Sequence, residues 1–104
     1  MTSKVHGCYI PQHRAQHFAK RASPLEVHEV LENKDSPPLW VKTKSLGRSP
    51  AYLVYGRSAE GRYLLIPVII LQEPPLNNMF MPVTVRDMTT RERNYYNKTN
   101  RKGG

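Results

Sequence analysis

Three arginines stand at the ends of consecutive expected strands: Arg57 closes one, Arg62 opens the next and Arg86 closes a third. Like charges facing each other across a sheet repel, and a polyanion would relieve that repulsion. Arginine suits a phosphate ligand because its planar fork donates two parallel hydrogen bonds. RNA is the first candidate. Its cleavage through the 2′-hydroxyl needs a base for the 2′-OH proton, an acid for the leaving 5′-oxygen and fixed cations for the charge on phosphorus, with no metal or cofactor. The side chains available are His13, His17, Lys20, Arg57, Arg62, Arg86, Arg91, Glu92 and Tyr95.

Each of these also has a plainer role open to it. Arg57 and Arg62 flank a hairpin turn, where exposed cations are common. Arg86 has Asp87 and Glu92 close in sequence as ion-pair partners. His17 also reads as a half-buried helix histidine. His13 and His17, four apart, have metal-compatible spacing, but no further ligands accompany them. Tyr95 and Tyr96 are expected to pack the last helix on the sheet, leaving one hydroxyl at the surface.

The chain has 104 residues, 16 Lys and Arg against 8 Asp and Glu, and a net charge of +8. That balance points to an anionic partner. Residues 23–38 reverse the sign, with Glu26, Glu29, Glu32 and Asp35 on an expected solvated helix face. Arg14, Arg21, Lys42, Lys44, Arg91 and Lys98 are candidate RNA contacts through the phosphate backbone. Cys8 is the single cysteine, which excludes an intrachain disulfide, fits a reducing compartment and leaves an inert thiol. Residues 1–11 lack the apolar core of a secretory signal. The longest apolar run, residues 63–71, is too short to span a bilayer and contains Pro67. The expectation is one domain over residues 1–104, soluble and cytoplasmic, without membrane contact. Phosphate-loop, serine-hydrolase and paired-cysteine motifs are absent.

These residues need elements to position them. Residues 5–10 have the makings of a short strand, and 12–22 read as a first helix. The second helix has the strongest signal: Ser23 as N-cap, Pro24 at the first helical position, Glu26 completing a capping box, and Val27, Val30 and Leu31 on one face. Residues 39–46 alternate as a half-buried strand, with Trp40, Lys42 and Lys44 against Leu39, Val41 and Thr43. Residues 47–50 form a turn. Residues 51–57 and 62–71 form a hairpin; pairing Arg57 with Arg62 sets Tyr55 opposite Leu64 and Leu53 opposite Ile66. Gly56, Val54, Tyr63 and Leu65 then take the other face. Pro67 implies a bulge or a free edge. Residues 79–86 form a last strand interrupted by Pro82. A short helix follows from Thr89, with Glu92 closing a second capping box, and 97–104 is expected to be a flexible basic tail. The class is α+β: two N-terminal helices, an antiparallel sheet of three to four strands and a short C-terminal helix.

Three stretches in order resemble a known family. They are His17, Lys20, Arg21, Ser23 and residues 26–33; then Gly56-Arg57-Ser58 with Gly61-Arg62-Tyr63-Leu64; then residues 83–95 around Arg86-Asp87-Met88-Thr89 and Arg91-Glu92-Arg93. The pattern is similar to the BrnT-type toxins, small ribonucleases of type II toxin–antitoxin pairs with a RelE-like fold. The resemblance implies a metal-independent endoribonuclease with a catalytic set of His17, Lys20, Arg57, Arg62, Arg86 and Tyr95. It also implies a cognate antitoxin that covers the cationic face in a hetero-oligomer; a simple dimer is the other assembly considered. Two other functions fit the same chain. One is a noncatalytic RNA- or ribosome-binding module, with salt-dependent binding and no cleavage. The other is an interaction protein presenting Tyr52, Tyr55, Tyr63, Met79, Phe80 and Met81 to a protein partner.

Overall fold

Proline and glycine punctuation, two capping boxes and one long apolar hairpin determine how this chain folds. A computed structural model describes residues 7–13, 16 and 21–103, with side chains for 8–13, 16 and 21–99. The elements are β1 (Gly7–Cys8), α1 (Pro24–Glu32), β2 (Leu39–Leu46), β3 (Ser49–Arg57), β4 (Tyr63–Ile70), β5 (Met79–Pro82), β6 (Arg86–Asp87) and α2 (Thr90–Gly103). The class is mixed α+β. The sheet runs β1-β5-β4-β3-β2, with β6 also on β4. All its pairings are antiparallel except β1 with β5. Gln12, His13 and Gln16 have helical backbone, but most of the helix expected over 12–22 lies outside the described residues. At its end, Arg21 is in a turn and Ala22 is irregular.

Both expected helix starts are present. Ser23 Oγ accepts from the Glu26 N–H, and Glu26 Oε1 accepts from the Ser23 N–H. Thr89 and Glu92 repeat the exchange ahead of α2. That helix is longer than expected: it has no glycine or proline before Gly103, and its backbone stays helical through 97–103.

The β3–β4 register differs from the expected one by a single residue. Arg57 pairs with Tyr63, not Arg62, so Tyr55 faces Leu65 and Leu53 faces Pro67. The cause is the turn. Ser58 donates its N–H to the Arg62 carbonyl, and its Oγ accepts from the Arg62 N–H. Gly61 takes φ +86, and residues 58–62 become the loop. A one-residue slip exchanges the faces of a strand. Leu64, Ile66 and Val68 therefore join Val54 under α1, where Val27, Val30, Ala22 and Val85 complete a fully apolar core. Leu65 and Tyr63 go to the opposite face, where Tyr96 and Met88 pack under α2. One helix covers each face. Gly56 permits the α1 approach, because a Cβ there would sit 2.6 Å from Val30 Cγ1.

The expected strand over 79–86 is two strands. Pro82 has no N–H, and neither has Pro67 beside its partner Val68, and β4 changes partner from β6 to β5 between Leu65 and Val68. The Pro67 carbonyl is satisfied by the Val83 N–H at 2.8 Å. The turn before β3 is also shorter than expected, since Ser49 and Pro50 already belong to the strand. The sheet curls: Trp40 on β2 meets Phe80 on β5 with ring centroids 5.1 Å apart, although three flat strand spacings would separate them by about 14 Å. Among the described residues, no helix is long and apolar enough to cross a membrane.

Candidate anion site at the β3–β4 hairpin

The three arginines at the expected strand ends have different surroundings. Arg62 is the last loop residue before β4 and lies beside the α1 N-terminus. Its Nη1 donates to both carboxylate oxygens of Glu26, at 3.2 and 3.0 Å. Its Nη2 donates to the Arg21 carbonyl and to Asp87 Oδ1, the latter at 3.3 Å. Arg86 forms a two-point pair with Glu92, at 2.8 and 2.7 Å, and also donates to the Asp87 carbonyl. Both are ion-paired and tie a strand end to a helix start. The hydrogen bonds from Arg86 are the main cause that holds the Glu92 carboxyl near 2, with further donation from Thr89. The mutual repulsion inferred from sequence is therefore answered by carboxylates within the chain for Arg62 and Arg86.

Arg57 is different. Its guanidinium lies over the Tyr63 ring, 4.8 Å from the centroid, and Arg93 from α2 lies over the same ring at 4.4 Å. The two charged carbons are thus no farther apart than those distances combined. Among the described residues, neither arginine has a carboxylate within 4.0 Å. Arg57 Nε is buried and has no hydrogen-bond partner. Cation–ring attraction offsets part of the cost of holding two cations together, but a ring quadrupole does not neutralise them as a carboxylate would.

Local sequence explains the assembly. The Arg57–Tyr63 pairing puts both side chains on the α2 face. Arg93 and Asn97 are one helical turn apart and share a flank of α2. Tyr63 Oη donates to Asn97 Oδ1 at 3.2 Å. Tyr96 anchors the helix, its buried ring set nearly perpendicular to that of Tyr63 and its Oη donating to the Ser36 and Pro37 carbonyls. Gly61 leaves room for the guanidinium: a Cβ there would lie 2.9 Å from Arg57 Nη2. The Asn33 amide binds the Arg57 carbonyl at 2.9 Å and fixes the strand end. Beside Arg57 opens a cleft of about 470 Å³ lined by Glu29, Glu32, Asp35, Arg57, Ser58 and Gly61.

The remaining candidates are dispersed. His17, Lys20 and Arg14 lie outside the described residues. Arg21 is exposed beside Arg62. Lys42 pairs with Tyr52 and projects from the α1 face of β2, whereas Arg57 points to the other face; Lys44 is exposed where the ladder shifts register. Arg91 and Tyr95 occupy the flank of α2 away from Arg93. Tyr95 is 44% exposed and packs edge-on against Tyr55 at 5.3 Å, beside a shallow hollow lined with Arg91 and Glu92. Lys98 is exposed. The Cys8 thiol is pushed up to about 12 by burial, with Glu32 adding to the effect, so it stays protonated.

Arg93 is the site residue that sequence reasoning missed. Its signal was its place four residues before Asn97 in a helix that returns to the hairpin, but reading that signal required the correct register. No family model matches the chain, and no curated protein is significantly similar to it.

Proposed function

We propose that the chain acts on RNA, with Arg57 and Arg93 holding backbone phosphates, as a metal-independent endoribonuclease toxin restrained by a partner antitoxin. The observation that carries the RNA contact is two guanidiniums over one tyrosine ring with no acid partner among the described residues. A phosphodiester supplies the charge they lack and matches their donor geometry. The finer reading, a RelE-like arrangement with ribonuclease chemistry, rests on the motif resemblance. In that reaction the 2′-oxygen attacks phosphorus and its proton goes to a base. The bond from phosphorus to the 5′-oxygen breaks, and the leaving oxygen takes a proton from an acid. The products are a 2′,3′-cyclic phosphate and a 5′-hydroxyl. The proposal gives the proton transfers to His17 and Lys20 and phosphate stabilisation to Arg57 with Arg93. Arg62 and Arg86 become positioning residues, and Tyr95, on the other flank of α2 against Tyr55, has no part in phosphate binding at Arg57 and Arg93.

A noncatalytic RNA-binding module is the second reading, favoured by the commitment of Arg62 and Arg86 to Glu26 and Glu92. The experiment that separates them is incubation of defined RNA with the protein in EDTA, beside Arg57→Ala and His17→Ala, with folding checked by circular dichroism. Cleavage to cyclic-phosphate ends, lost in both variants, supports the enzyme. Binding that weakens in Arg57→Ala, with no cleavage by any form, supports the module. Neither binding nor cleavage by the parent protein rejects both.

A further inference from the structure

The far side of β2 is a second, separate surface. β2 ends the strand order and pairs only with β3 among the described residues, so its outer edge carries backbone donors and acceptors with no strand beside them. It is eight residues long, whereas β1, at the other end of the sheet, has two among the described residues. Residues 42–48 are all exposed, and Leu46 is 60% exposed. Edge strands of this length are usually blunted or covered.

Its charge narrows what would cover it. From residue 36 to residue 59 the chain contains no Asp or Glu, but it carries Lys42, Lys44, Arg48 and Arg57. Lys42 lies in the regular ladder opposite Tyr52, and Lys44 follows it at the start of the register shift before Leu46. A strand laid along this edge would place its own side chains about 5 Å from theirs, where opposite charges stabilise and like charges destabilise. A second copy of this chain would bring lysines toward lysines. The β2–β3 ladder is regular over Leu39–Thr43 and shifts before Leu46, so the straight part of the edge covers the five residues 39–43.

We propose that the outer edge of β2 binds an extended acidic peptide as an added strand, with carboxylates meeting Lys42 in the straight segment and Lys44 just beyond it. This surface is independent of the Arg57 site, because Lys42 projects from the opposite face of the sheet.

The test uses the full chain and two synthetic ten-residue probes, one alternating Glu with Val and the other alternating Lys with Val. Amide hydrogen exchange and protein–peptide nuclear Overhauser effects are read with each. The acidic probe is expected to slow exchange of amides in residues 39–43 by at least about tenfold and to give cross-strand contacts there. The basic probe should do neither, and the K42E/K44E variant should reverse the preference. Equal protection by both probes, protection elsewhere or none overturns the proposal. Concentration-dependent protection without peptide overturns it in favour of self-association. Displacement of the acidic probe by a short oligouridylate, abolished in K42E/K44E, overturns it in favour of an RNA surface.

Discussion

At the start of α1, Glu26 closes the capping box with Ser23 and also takes the Arg62 guanidinium; at the start of α2, Glu92 does the same with Thr89 and Arg86. In both places one carboxylate satisfies a helix N-cap N–H and an arginine from a strand. Arg57 and Arg93 sit at the other extreme, with an aromatic ring for company and no carboxylate among the described residues. The difference teaches what an arginine at a strand end is for. A capping-box glutamate within reach converts it into a fastener. Where the nearest groups are a tyrosine ring and a glycine turn, its charge has no carboxylate partner among the described residues.

The sharpest way to break this comparison is to cut a fastener. Arg62→Ala leaves Glu26 and Asp87 without their cation and should cost about 1–2 kcal/mol, the partly exposed pair being screened by solvent. In thermal melts that corresponds to a Tm drop on the order of 5–10 °C. RNA affinity, measured where the variant is fully folded, should stay within about twofold of the parent, as expected for a residue that makes no phosphate contact. A large affinity loss with little loss of stability would put Arg62 in the site.

Arg57→Ala and Arg93→Ala should behave the opposite way. Each is expected to weaken RNA binding by about five- to tenfold and to reduce the slope of log affinity against log salt by about 0.7, the single-strand value for one phosphate. Each should change stability by less than about 1 kcal/mol. Unchanged salt slopes in fluorescence anisotropy would remove both from the interface.

These contrasts were only partly legible in the sequence. Both capping boxes could be read from Ser23, Glu26, Thr89 and Glu92, because an N-cap and its partner are three residues apart. The β2 boundaries, the break at Pro82 and the hairpin itself were equally local. The register was not. It depended on Ser58 bonding Arg62 through both backbone and side chain, with Gly61 at positive φ. That one residue of slip decided which half of β4 lies under α1. It also decided that Arg57 meets Tyr63 rather than Arg62, which hid Arg93. The Arg62–Glu26 pair spans 36 residues, and no short-range pattern announces it.

Acid should sharpen the view of the second fastener. Glu92 titrates near 2 in the fold against an ordinary value of 4.5. A depressed carboxyl contributes stability that is fully present above 4.5 and is lost as pH falls toward 2. The urea midpoint should fall across that window, and Glu92→Gln should flatten the fall while lowering the midpoint at neutral pH. An unchanged acid limb in the variant would mean that Glu92 is not the group held down.

The smallest effect belongs to the ring. Tyr63→Phe keeps the π face and loses only the hydroxyl bond to Asn97, so stability should change by about 0.5–1 kcal/mol and RNA affinity by less than about twofold. Tyr63→Leu should lower affinity further, because both guanidiniums lose their platform. Equal affinity in the two variants would show that the ring does not position the arginines.

The most direct test of the account is the Arg57→Ala/Arg93→Ala double variant, compared with Arg62→Ala in one RNA titration across a salt series, with melting curves alongside. The account predicts a stable double variant whose salt slope falls by about 1.4, and a less stable Arg62→Ala with the parental slope. A double variant that binds RNA with the parental slope, or an Arg62→Ala that loses the slope while keeping its stability, would contradict it.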